Sequence, residues 1–188
     1  MAKQFDQIED THQRFIEDQY LFFVGTAATD GRVNVSPKGM DSLRVLAPNR
    51  IIWLNLTGSG NETAGHLLNN PRMTLMWCSF AKRPMILRLY GTARAVHHLD
   101  DDWHALYDHF PKSVGARQIY DLTVDLVQTS CGYSIPFLDY VGERHVLQKW
   151  GEDKGQEGVR AHWATRNTET IDGMPTHIIE KNLGVDDA

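Results

Sequence analysis

The chain has 188 residues, with 19 lysines and arginines against 24 aspartates and glutamates, for a formal charge of -5. That length suits one domain able to bury its own core, and an acidic balance with no basic tract argues against a nucleic-acid or anionic-membrane surface. No apolar run approaches the roughly eighteen residues that a membrane helix needs; the start MAKQFDQIEDTHQRF is too polar for a secretory signal, and Cys78 and Cys131, 53 positions apart without a CxxC, suit a reducing, cytoplasmic setting.

Residues 5 to 18 place Phe5, Ile8, Phe15 and Ile16 on one helical face, which predicts an amphipathic N-terminal helix. YLFFVGTA (20 to 27) then reads as a strand, TDGR (29 to 32) as a hairpin turn, and Val33, Val35 and Ser36 as the return strand. A second hairpin follows, with SLRVL (42 to 46) and RIIWLNL (50 to 56) flanking the turn residues Pro48 and Asn49. The stretch GSGNETAGHLLNNPRM (58 to 73) predicts a glycine loop and a helix over 61 to 69, capped by Asn61 and stopped at Asn70-Pro71.

Met73, Leu75 and Trp77 alternate with Thr74, Met76 and Cys78 as a half-buried strand does, and MILRLYGTARAVHH (85 to 98) reads as a long strand bent at Gly91. Asp100 is the expected cap of a helix carrying Trp103, Leu106, Tyr107 and Phe110. LTVDLVQTSCGY (122 to 133) is the next strand, helices are expected near 143 to 150 and 155 to 165, and NTETIDGMPTH is polar and turn-rich. Six or seven strands joined mostly by short turns imply antiparallel neighbours, because a parallel pair needs a crossover of a dozen or more residues. The expected fold is mainly β, an antiparallel barrel with peripheral helices in one domain over 1–188, with a helix within 1–18 and a polar tail over 166–188.

Two segments carry chemistry. Strand, Gly58-x-Gly60, then helix resembles half of a dinucleotide fingerprint, but Thr63 replaces the third glycine and positions 78 to 83, CSFAKR, lack the ribose-binding acid. What survives is a helix start where Ser59, Asn61, Thr63 and first-turn amides can hold one phosphate, or an ordinary capped turn. NVSPKGM (34 to 40) ends a strand with Ser36, Pro37, Lys38 and Gly39, suited to meet an anion or to form a solvated turn. Arg44 on the following strand is a second candidate cation.

The series FFVGTAATDGRVNVSPKG, RIIWLNLTGSGNETAGHLLNNPRMTLMW and ILRLYGTARAV resembles the FMN-binding split-barrel family that includes pyridoxamine 5'-phosphate oxidase, and SCGYSIP and NTETIDGMP resemble an uncharacterised branch of it. The likeness spans about residues 15 to 175. It implies an antiparallel split barrel, a homodimer with FMN in a cleft between protomers, and oxidoreductase activity on a small molecule. It places Ser36, Pro37, Lys38, Gly39 and Met40, the strand end Leu54 and Asn55, and the helix start Asn61, Glu62 and Thr63 at the cofactor, with Lys38 where the oxidases carry a phosphate-binding arginine. The chain departs from the oxidases in having Asn61-Glu62-Thr63 in place of Ser-Arg-Lys, which removes two positive charges and adds a carboxylate, and in lacking a C-terminal Arg-x-His.

Other candidates have plain structural readings. His97, His98, His104 and His109 beside Asp100-Asp101-Asp102 show no firm ligand pair, so no metal is expected. Cys131 has no basic neighbour to activate it, and Trp103, Trp150 and Trp163 lie among helical apolar residues. No catalytic side chain is named, because hydride transfer at a flavin does not require a protein acid or base. The alternatives are a flavin or haem carrier or sensor, with His66 or another histidine at the iron, and a deazaflavin-dependent reductase.

Overall fold

The computed structural model describes residues 2–184. Eight strands make one antiparallel sheet: β1 (Lys3–Phe5), β2 (Phe22–Thr26), β3 (Asn34–Lys38), β4 (Leu43–Ala47), β5 (Arg50–Leu56), β6 (Arg72–Cys78), β7 (Ile86–Val96) and β8 (Ala116–Ser130). Their order is β3-β2-β6-β7-β8-β5-β4, with β1 added to β8. The end strands β3 and β4 do not pair with each other, so the barrel is split. The helices are α1 (Asp10–Glu17), α2 (Glu62–Asn69), α3 (Trp103–Tyr107), α4 (Val146–Arg166) and α5 (Ile178–Asn182). Among the described residues no helix is long and apolar enough to cross a membrane.

The barrel is filled by alternate residues of its strands. Val24, Leu75, Leu89, Ile51, Trp53, Tyr120 and Leu122 belong to one buried cluster. Ile52 and Leu54, on the opposite face of β5, join Val96, Trp103, Leu106, Phe110 and Ile119 in a second. The run Ile51 to Leu54 is therefore buried on both faces, because α3 covers the outside of the sheet; a strand so placed reads as continuous apolar sequence. Gly91 is needed where β7 meets β8: a Cβ there would overlap the Thr123 carbonyl oxygen, and the pairing shifts register between Tyr90 and Gly91.

Several expected boundaries move. The predicted helix from residue 5 starts only at Asp10, because Phe5 enters β1 and pairs with Val127, on the stretch of β8 edge beyond its pairing with β5. The Glu9 amide, at the helix start, donates to His12 Nδ1 at 3.1 Å. Asp100 does not cap α3; its carboxylate accepts the His97 amide at 2.8 Å, and the helix is only Trp103–Tyr107. The strand expected from residue 122 begins at Ala116, paired with β5 and β7. The two late helices are merged as α4 across a break at Gly155, whose φ of 66° is left-handed.

The expected polar tail is anchored rather than loose. Glu169 bridges Pro175 in a small hairpin, and Asn167, Thr170, Thr176, Ile178 and Asn182 are buried. Val159, Trp163 and Ile178 form a third apolar cluster that ties α4 to α5. Of the expected terminal segments, residue 1 and residues 185–188 lie outside the described residues.

Candidate functional site

β3 is an edge strand, so Pro37, which has no amide hydrogen, breaks no interior ladder. Along it Asn34, Ser36 and Lys38 alternate with the more exposed Val35 and Pro37. The first three line a cavity of about 500 Å³, whose other walls are Asn55 and Leu56 at the end of β5 and residues 58–63 at the start of α2. Lys38 and the amino end of α2 therefore face one space. A volume of that size is typical of small-molecule sites.

The Lys38 ammonium lies 5.4 Å from the Trp53 ring centroid. Desolvation, and secondarily the charge of Arg117, lower its pKa to about 8. Asn55 donates to Gln118 Oε1 at 3.1 Å, so its amide is held against β8. No histidine lines this cavity: His66 is buried in α2, with Nδ1 3.1 Å from Thr26 Oγ1.

At the helix start the local reading needs revision. Asn61 makes no side-chain cap; its Nδ2 donates to the Asn167 carbonyl at 3.3 Å, and its buried Oδ1 has no partner within the described residues. Neither Gly58 nor Gly60 has a positive φ. A Cβ on Gly58 would meet nothing, whereas one on Gly60 would lie 3.1 Å from the Glu62 carboxylate, so these glycines are not required by backbone conformation. That carboxylate accepts the Ile171 amide at 3.0 and 3.2 Å, so Glu62 lies on the cavity wall while holding the C-terminal hairpin.

The sequence reading missed Arg117 and the hairpin. Arg117 is 3% exposed and lines the cavity. Its Nη1 donates to the Gly60 carbonyl at 2.9 Å and to Asn167 Oδ1 at 2.6 Å, while its buried Nε has no partner within the described residues. Burial lowers its pKa to about 10. Asn167 completes the junction by donating to the Gly58 carbonyl at 3.1 Å. Across the mouth Asp172 pairs with Arg32, and Ile171 joins the lining. The available signal for Arg117 was an arginine inside the otherwise strand-like run that leads to Leu122; the hairpin showed only its turn-rich composition, since its contacts at Asp172 with Arg32 and at Ile171 with Glu62 are 140 and 109 residues apart.

The remaining candidates lie off this wall. Met40 and Leu54 line a smaller cavity of about 220 Å³, with Leu56 common to both. Pro37 and Gly39 flank Lys38 without lining the main cavity, and Met40 carries a positive φ of 61° in the turn that follows. Arg44 is committed elsewhere: it pairs with Asp41 at 2.5 and 2.8 Å and donates to the His109 carbonyl at 3.0 Å. A larger cavity of about 1050 Å³, beneath Phe137 to Tyr140, contains none of the candidate residues.

Among the described residues no group of three or more His, Cys, Asp and Glu side chains is placed to hold a metal. His97 bonds Asn182 and His98 bonds the Ala116 carbonyl, and burial lowers both pKa values to about 4. Trp103 and Trp163 are buried, and the Trp163 indole donates to Thr57 at 2.8 Å.

A family model described as pyridoxamine 5'-phosphate oxidase matches residues 8–131. Over 189 aligned residues the chain is 33% identical to the pyridoxamine 5'-phosphate oxidase family protein ustO of Aspergillus flavus, covering 91% of this chain and 76% of that protein. Two solved structures share the fold. A candidate pyridoxamine 5'-phosphate oxidase from Lactobacillus delbrueckii has a TM-score of 0.54 and 20% identity over 65% of this chain and 94% of its own. HupZ from Group A Streptococcus has a TM-score of 0.51 and 19% identity over 63% of this chain and 91% of its own.

Proposed function

Because the chain belongs to the pyridoxamine 5'-phosphate oxidase family, we propose that it is a cytosolic, FMN-dependent oxidoreductase acting on a small molecule. The observation that carries this reading is that Lys38 on β3 and the first turn of α2 line the same cavity. The residues present fit a phosphorylated ligand. Lys38 has no carboxylate partner among the described residues, and the amides of Glu62 and Thr63 make no hydrogen bond there. A cation and free amides at a positive helix end form a donor set for an anion.

In this reading Lys38 and the amides of α2 hold the phosphate. The side chains of Ser36, Ser59 and Thr63 add hydrogen-bonding groups, and Asn55, fixed by Gln118, helps to set the ligand's orientation. Bound flavin supplies the two-electron chemistry, and the protein supplies position and electrostatics. The bond from the Ile171 amide directs the Glu62 carboxylate toward the C-terminal hairpin, but its negative charge stays on the cavity wall.

The active form in this proposal is a homodimer with the cofactor at the interface. Supporting it, Val33, just before the edge strand β3, and Val35 on it are 71% and 65% exposed beside the cavity, an apolar surface that a second protomer would cover. Absorption spectroscopy of the purified protein, followed by titration with FMN and riboflavin, tests the cofactor; anaerobic reduction by nicotinamide donors or candidate substrates tests the activity. Tight FMN binding with reduction and reoxidation is expected. Failure to bind FMN overturns the proposal.

A further inference from the structure

We propose that Arg117 is a ligand-binding residue, the second cation for the phosphate end of the ligand that Lys38 meets, and that it couples that phosphate to the C-terminal hairpin. This rests on the reading that the cavity takes a phosphorylated ligand.

A guanidinium keeps its charge at neutral pH, and burying a charge without a counter-ion is strongly disfavoured. Arg117 is buried at 3% exposure, yet no Asp or Glu among the described residues forms an ion pair with it. The two acids at the cavity mouth are engaged elsewhere: Glu62 with the Ile171 amide and Asp172 with Arg32. Only Nη1 of Arg117 is committed, to Gly60 and Asn167; Nε and Nη2 make no hydrogen bond within the described residues. On this cavity-lining residue Nη2 thus remains available for an anion, and the Nη1 bonds fix the guanidinium plane. Desolvation is the main cause of the lowered pKa of both groups; for Lys38 the charge of Arg117 adds to it, so Arg117 lies within electrostatic reach of Lys38.

The committed Nη1 adds a consequence. Arg117 holds Asn167, which also bonds the Gly58 carbonyl and accepts from Asn61 and Thr176. An anion that fixes the guanidinium therefore also fixes the base of the hairpin.

The test compares wild type, Arg117→Met and Arg117→Lys, using inorganic phosphate, FMN and riboflavin as probes. Wild type is expected to bind FMN at least about 30-fold more tightly than riboflavin, with the ratio reduced to about threefold in Arg117→Met and intermediate in Arg117→Lys. In wild type, phosphate or FMN should slow hydrogen exchange at the Thr170 and Thr176 amides. A folded Arg117→Met that keeps the wild-type ratio overturns the assignment. If Arg117→Met does not fold, the wild-type protein decides: on adding phosphate, the Arg117 Nε–H resonance shifts and gains exchange protection, or the assignment fails. Should wild type bind neither flavin, the FMN reading fails alone if phosphate still raises its melting temperature and not that of Arg117→Lys; absence of any phosphate effect on wild type overturns Arg117 as well.

Discussion

Lys38 and Arg117 reach one cavity from separate strands, β3 and β8, with no carboxylate paired to either among the described residues. The arrangement suits the site to an anion. Lys38→Ala is expected to weaken FMN binding by about 1 to 3 kcal/mol, the scale of a charge-assisted hydrogen bond, while riboflavin binding changes little. Fluorescence titration of both ligands checks this, and unchanged FMN affinity would remove Lys38 from the site.

The pKa of Lys38 gives a pH dependence with a definite sign. Its folded value of about 8 lies below the ordinary 10.5, chiefly because of desolvation. Below pH 8 the ammonium is charged in both states and its burial costs stability, on the order of 3 kcal/mol. As pH rises from about 8 to 10.5 the folded state releases the proton first, so this cost is relieved and stability increases. Denaturation of ligand-free wild type and Lys38→Met across that range should show the variant's advantage shrinking as pH rises. FMN affinity should move the other way, falling above pH 8 as the cation is lost.

Glu62→Gln should strengthen FMN binding by about 0.5 to 1 kcal/mol, because it removes a negative charge from the cavity wall while an amide oxygen can still accept from Ile171. Weaker binding would mean that the carboxylate's hold on the hairpin matters more than its charge.

Arg44→Ala is expected to leave FMN affinity within about twofold of wild type, since the guanidinium is occupied by Asp41 and His109 away from the main cavity. A loss comparable to that of Lys38→Ala would put Arg44 back at the ligand.

Gly91→Ala should destabilise the fold by about 3 kcal/mol or more, because the added methyl meets the Thr123 backbone, which cannot rotate away. Chemical denaturation checks this; a loss under about 1 kcal/mol would show that the β7-β8 bulge can reopen.

The barrel was legible because its strands alternate or carry dense apolar runs, and because DGR and APN sit where hairpins turn. Lys38 and the α2 start were legible for the same local reason: each lies where a strand gives way to turn chemistry. Arg117 was not, since its importance comes from what surrounds it after folding, and its partners Gly60 and Asn167 are 57 and 50 residues away. Asn61 misled in the opposite direction. Its type and position predict a cap, but Asn167 offers its amide a carbonyl that only the tertiary fold brings near. The start of α1 failed similarly, since helical periodicity at Phe5 says nothing of an open edge on β8.

Asn167 has one last implication, for biosynthesis. A nascent chain has every strand of the sheet once Ser130 has emerged, but the Gly58, Gly60 and Arg117 corner stays unfinished until Asn167 follows. The order of translation therefore separates making the barrel from finishing the cavity wall, and loading of the proposed cofactor belongs to the later event.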